Sequence, residues 1–112
     1  MQHEFATTTY LLASRRNGTL YVGVTSNLIV RIHQHRDANL PGFARDFAVK
    51  QLVWFEQHGT MEQAILREKH IKQWNRAWKL ALIEKGNPEW RDLAEGFGFE
   101  PLASPGFPPS RE

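Results

Sequence analysis

The feature that most constrains this chain is Arg16-Asn17-Gly18-Thr19, a turn set between two strand-like runs. Asn-Gly flanked by apolar and β-branched residues is a strong short-range hairpin signal. It predicts strands over Thr7–Ser14 and Leu20–Thr25. With Asn17-Gly18 as a two-residue loop, Arg16 pairs with Thr19, Ser14 with Tyr21 and Tyr10 with Thr25. Paired residues share a face and faces alternate along a strand. Tyr10, Tyr21, Gly23 and Thr25 then lie on one face, and a four-residue loop would preserve that parity.

Asn27 is suited to cap a helix from Leu28 to about Arg36. Leu28, Arg31, Ile32 and His35 fall at i, i+3, i+4 and i+7, on one face. That puts Arg31 and His35 among apolar residues, where a guanidinium is costly unless it meets an anion. Residues 37–48 read as a loop. Lys50–His58 is a third strand, rich in Val, Trp and Phe. Thr60-Met61-Glu62-Gln63 fits a capping box. The helix it opens carries the stripe Met61, Ala64, Ile65, Glu68, Ile71 and Lys72. Asn75 is placed to interrupt or re-cap that helix before the apolar pattern around Trp78, Leu82 and Ile83. Gly86 ends it, and Asn87-Pro88 reads as the cap and first residue of a short helix through Ala94.

The expected fold is α+β: a small three-stranded antiparallel sheet flanked by helices. Its 112 residues are enough for one core. Residues 1–96 form the expected domain. Residues 97–112, with four of the six prolines, form an expected disordered tail. The absence of cysteine excludes disulfides and thiolate metal sites, and fits a cytoplasmic, reducing location. No apolar run is long enough to span a bilayer, and the N-terminus has no signal-peptide pattern. The net charge of +2 permits a polyanionic partner without arguing for one.

Each candidate residue has a structural explanation beside the chemical one. Glu68 reads as a surface carboxylate paired with Lys72 at i+4. The chemical alternative is a general base or a ligand for Mg²⁺, which is often held by one or two carboxylates, waters and substrate phosphate. Arg31 is either an amphipathic side chain over a sheet edge or a bidentate phosphate clamp. His35 suits a structural role or a proton relay. Tyr10 and Tyr21 suit the core, whereas Gly23 in a strand implies close approach to its backbone. His33, His58 and His70 have no companions at metal-ligand spacing. Lys72, Arg76 and Lys79, interleaved with Trp74 and Trp78, form a solvated face or a track for a phosphate backbone. The track requires one continuous helix.

Together these residues resemble the GIY-YIG nuclease family over about residues 7–94. Tyr21-Val22-Gly23 matches the second motif closely. Thr8-Thr9-Tyr10 keeps the tyrosine of the first. Thr25-Ser26-Asn27-Leu28 with Arg31 and His35 follows the helix pattern. Arg67-Glu68-Lys69, Ile71-Lys72, Trp74 and Arg76 follow the second half, and Asn87-Pro88-Glu89-Trp90 with Asp92-Leu93 follows the end of the small stand-alone branch. The resemblance implies metal-dependent hydrolysis of phosphodiesters in DNA, with RNA as an open alternative. In it, Glu68 holds one Mg²⁺ or Mn²⁺ ion, Arg31 stabilises phosphoryl charge, and Tyr10 or Tyr21 orients or deprotonates water. His35 holds or relays that proton, and Asn87 is a weaker site residue. Here Gly42-Phe43 is followed by Ala44-Arg45-Asp46, which leaves Arg45 as the substrate cation of that loop. Repair or processing of unusual structures is the implied role; a domain this small with modest charge holds little duplex, so its specificity is expected to be for structure or to come from a partner. The competing expectations are a nucleic-acid-binding module without cleavage, and a protein-interaction domain using Trp78, Trp90 and the tail.

Overall fold

The computed structural model describes residues 7–36 and 49–99. Arg45 and most of the Pro-rich tail lie outside the described residues. Strands β1 (Thr7–Ala13), β2 (Leu20–Thr25) and β3 (Gln51–His58) form an antiparallel sheet in the order β2-β1-β3. Helix α1 (Leu28–Arg36) follows β2. Helices α2 (Met61–Gln73) and α3 (Arg76–Gly86) follow β3, and a 3₁₀ helix, Leu93–Phe97, closes the described chain. This is the α+β architecture expected. Among the described residues, no helix is long and apolar enough to cross a membrane.

The hairpin loop is longer than its Asn-Gly signal implies. Tyr10 pairs with Gly23 and Leu12 with Tyr21. The Ser14 N–H donates to Thr19 O at 3.0 Å, and the Gly18 N–H to Arg15 O at 2.9 Å. The loop is therefore Arg15–Gly18. A two-residue type I′ turn needs positive φ at both central residues. Asn17 adopts φ 58 but Gly18 does not take the left-handed region. The register moves by two residues, so Tyr10, Tyr21, Gly23 and Thr25 still share a face.

Two apolar clusters lie on opposite faces of the sheet. Tyr10, Leu12, Leu28, Ile32, Val49, Leu52 and Ala94 pack on the α1 side. Leu11, Ala13, Val22, Val53, Ile71, Ile83 and Trp90 pack on the α2–α3 side. The alternation of β1 residues between the clusters is the two-residue period of a strand buried on both faces.

Local signals set the helix boundaries. The Asn27 Oδ1 accepts from Val30 N at 3.1 Å and starts α1. The Thr60 hydroxyl accepts from Gln63 N at 3.1 Å, while Gln63 Oε1 accepts from Gly59 N, so the capping box forms one residue out of its usual pairing. Trp74 leaves the helical region with ψ 150, and Asn75 caps α3 by accepting from Trp78 N. This break denies Lys72, Arg76 and Lys79 the common helical face that a continuous helix would give them. Arg76 instead donates through Nη2 to Asn17 O and Gly18 O, both at 2.7 Å.

The helix expected from Asn87-Pro88 does not form. Asn87 follows the end of α3, and its buried side chain clips the chain behind it. Its Nδ2 donates to Val53 O and Arg91 O, and its Oδ1 accepts from Arg91 N. The β1–β3 ladder skips Val53 through a bulge between Leu11 and Leu12, so Asn87 supplies a partner to that carbonyl. Trp90 turns through φ 57 and is buried, which removes it from any docking surface. Asp92 then caps the 3₁₀ helix. Phe97 and Phe99, placed in the tail by composition, pack on Phe55 and on His33 and Arg36 respectively. The packed unit therefore extends at least to Phe99.

Candidate active site

The site is built around the Tyr10 hydroxyl. Tyr10 sits in the central strand and is fully buried. Its ring occupies the space over Gly23 on β2. A Cβ at position 23 would lie 2.5 Å from both the Cζ and the hydroxyl of Tyr10. Glycine is required there because a neighbouring ring takes the volume of its side chain, with no special backbone conformation involved.

Three rings meet at this point. The Tyr21 centroid lies 6.3 Å from that of Tyr10 and 5.4 Å from that of His35. The rings of Tyr10 and His35 meet edge to face at 6.0 Å, with the Tyr10 hydroxyl 3.3 Å from His35 Nε2. Helix α1 makes this possible. Ile32 anchors it on the sheet, and the following turn brings His35 down on the same side. Arg31, one position before Ile32, places its guanidinium where its charge acts on the Tyr10 phenol.

The electrostatics follow from burial and from these neighbours. Burial pushes the Tyr10 phenol well above its ordinary value. The charges of Tyr21 and Glu68 push in the same direction, and the Arg31 guanidinium opposes them. Tyr10 is therefore a neutral phenol at neutral pH. Burial, reinforced by the Arg31 guanidinium, lowers His35 to about 4. His35 is a neutral imidazole at pH 7, and among the described residues its Nδ1 has no hydrogen-bond partner.

Glu68 stands on α2, which packs on the other face of the sheet. Its helix packs on β1 and β2 through Ala64 and Ile71, both fully buried. The Thr9 hydroxyl, on the β1 face opposite Tyr10, donates to Ala64 O at 2.8 Å. The Glu68 side chain is 16% exposed and Oε2 lies 3.0 Å from Lys72 Nζ. The pairing expected with Lys72 forms, and the Glu68 charge is also felt at Tyr10. Of the predicted site residues, the structure brings Tyr10, Tyr21, Gly23 and His35 into contact, with the charges of Arg31 and Glu68 acting on Tyr10 and Lys72 paired with Glu68. Asn87 is engaged in loop closure and Arg76 in the hairpin turn.

The donor set limits what ion could bind. Among the described residues, no group of three or more His, Asp or Glu side chains could hold a metal. A lone carboxylate does not make a zinc centre. It does suit a hard cation that keeps most of its waters and takes oxygens from a substrate phosphate.

A hairpin bearing two tyrosines, a helix bearing arginine and histidine, and a second helix bearing one glutamate together define a GIY-YIG-type nuclease domain. The sequence agrees: the GIY-YIG catalytic domain matches residues 6–81, and the chain belongs to that family. Its function is accordingly of nuclease type and its substrate a nucleic acid. The chain is 32% identical to a UPF0213 protein of Staphylococcus saprophyticus over 71 residues, 63% of this chain and 87% of the relative. It is 34% identical to a UPF0213 protein of Haloquadratum walsbyi, over 61% of this chain and 76% of the relative. A UPF0213 protein of Pediococcus pentosaceus is 32% identical over 68% of this chain and 79% of the relative. These names assign no activity. No solved structure matches the chain.

Proposed function

We propose that this protein is a metal-dependent endonuclease that hydrolyses DNA phosphodiesters, acting on structured or damaged substrates. The observation that carries the reading is the meeting of Tyr10, Tyr21 and His35, with Arg31 and Glu68 near enough to act on the Tyr10 phenol by charge. Nothing in the packing of a sheet this small requires that combination.

In this reading Glu68 holds one Mg²⁺ or Mn²⁺ ion, which supplies Lewis-acid stabilisation of the scissile phosphate when bound. Lys72, which pairs with Glu68, would be free to contact the substrate backbone if Glu68 held an ion. Arg31 binds a non-bridging phosphate oxygen and stabilises the charge that builds on it. Tyr21, half-buried beside Tyr10, orients the attacking water. A free tyrosinate is disfavoured at Tyr10, so this residue acts as a relay. Its oxygen takes a proton from water as its own proton passes to His35 Nε2. Lys79 and Arg45 are proposed to contact the backbone of the substrate, and a partner protein to direct the enzyme to its target.

The test is cleavage of plasmid, branched and single-stranded DNA, and of RNA, with Mg²⁺, Mn²⁺ or EDTA. Glu68→Gln is expected to abolish metal-dependent nicking. Arg31→Ala is expected to lower the rate about 10²- to 10³-fold, as for loss of a transition-state donor. Tyr10→Phe, which removes the relay and keeps the ring, is expected to cost about 10²- to 10⁴-fold. Nicking that survives Glu68→Gln would reject the mechanism. Binding without cleavage under every metal would favour a module that grips nucleic acid without cutting it, with the Lys72–Glu68 pair left closed.

A further inference from the structure

Helix α3 has more apolar surface than its packing uses. Ile83 is fully buried in the sheet-facing cluster and Leu80 packs against the same cluster. A second stripe, Trp78, Ala81, Leu82 and Lys85, runs at i, i+3, i+4 and i+7 beside it. With Trp74 it lines a single open groove. Trp78 is 59% exposed, the most exposed of the large apolar side chains among the described residues.

The groove is backed by stacked groups. Arg67 lies over the Trp54 ring at 5.7 Å and over the Trp74 ring at 5.5 Å, while Glu56 holds its Nε at 3.0 Å. Trp74 meets Trp78 edge to face at 5.9 Å. The ladder Trp54–Arg67–Trp74 thus braces Trp78 from one side and leaves it uncovered on the other. The lining holds one cation, Lys85, and no carboxylate. Among the described residues Lys69, Lys79 and Lys85 make no ion pair, whereas Glu84 accepts from the buried Trp90 Nε1 at 2.8 Å.

We propose that this groove is a second nucleic-acid site, where an unpaired base of the substrate stacks on Trp78 and its phosphates meet Lys85 and Lys79. The assignment deepens the nucleic-acid reading above and rests on it. Five lining residues match one base, whereas a stable protein interface engages about 20–30 residues a side. The lining cation, Lys85, complements a phosphate, and a braced aromatic face is the usual platform for bases without sequence preference. Trp74 follows Glu68 by six residues, about 9 Å along a helix axis, so a strand leaving the proposed cleavage site passes the groove within a few nucleotides. The substrate would then be a junction between paired and unpaired DNA, held on both sides of the sheet.

The experiment measures binding of a fluorescein-labelled 20-nucleotide single strand and of the matching blunt duplex in EDTA, so that cleavage plays no part. Trp78→Ala is expected to weaken single-strand binding about 5- to 150-fold, the loss of one stacked base. Duplex binding is expected to change less than about 2-fold. Trp78→Phe, which keeps an aromatic face, is expected to retain most of the affinity and so to separate stacking from folding. Lys85→Ala is expected to reduce the salt dependence of single-strand binding by about one charge. Wild-type affinity in Trp78→Ala, or equal loss for single strand and duplex, would overturn the proposal. A wild-type dimer that Trp78→Ala dissociates would overturn it too, because the groove would then belong to a second copy of the chain. Cleavage assays run alongside keep the readings apart. Active enzyme with an indifferent Trp78 removes only this site, whereas Trp78-dependent binding without cleavage removes only the nuclease reading.

Discussion

Tyr10 and His35 owe their protonation states to where the fold puts them. His35 has a folded value of about 4 against an ordinary 6.5, because burial and Arg31 both oppose its charge. A lowered value means that the fold favours the neutral ring. The resulting stability is fully present above about pH 6.5 and is lost as pH falls toward 4. The unfolding free energy is therefore expected to drop over that window, by at most about 3–4 kcal/mol, and the drop is expected to shrink in His35→Gln. The same shift predicts that the acid limb of the cleavage profile lies near pH 4, with no inflection at 6.5. Gly23→Ala drives a methyl into the buried Tyr10 ring, which has no free space to move into. About 1–3 kcal/mol of destabilisation is expected in urea melts. At this scale the sequence was informative about which residues meet, because strand parity and helical spacing are local rules. It was silent on protonation, which depends on burial by elements distant in the chain.

The elements are held by caps and clips, of which only some leave a trace in sequence. Asn27, Thr60 and Asn75 are legible because a cap needs one side-chain acceptor at a fixed offset from the helix start. Asn75→Ala is expected to cost about 1 kcal/mol by chemical denaturation, with the loss confined to α3. Asn87 and Asp92 are not legible in this way. Their partners, Val53 O for one and Leu52 N and Arg36 for the other, lie 34 to 56 residues away. Asn87-Pro88 looks like a helix start because the local pattern is the same, and the β3 bulge that engages Asn87 has no signature of its own. Asp92 joins the end of α1 to the 3₁₀ helix through a largely buried pair with Arg36. Asp92→Ala would remove the carboxylate facing Arg36 and the acceptor for the backbone N–H groups of Leu52 and Ala94. A loss of about 3–5 kcal/mol is expected in equilibrium unfolding.

Across the whole molecule, the fold class was legible from the order of elements and the spacing of their apolar residues, since a three-stranded sheet of this size must be covered by its helices. The action of the Glu68 charge on Tyr10 was not. Spacing places Glu68 on a buried stripe but cannot say which strand that stripe meets, and only the likeness to a family linked the two. The structure has α1 on one face of the sheet and α2 on the other, with the proposed chemistry divided between them. That division has a consequence for how such a protein is made. A nascent chain that has exposed its hairpin and first helix still lacks the carboxylate, and so does any form in which α2 has come away from β1 and β2. On the proposed mechanism neither can cut. A hydrolase synthesised among nucleic acids would thus stay inert until its folding is complete, with docking of the second helix acting as its safety catch.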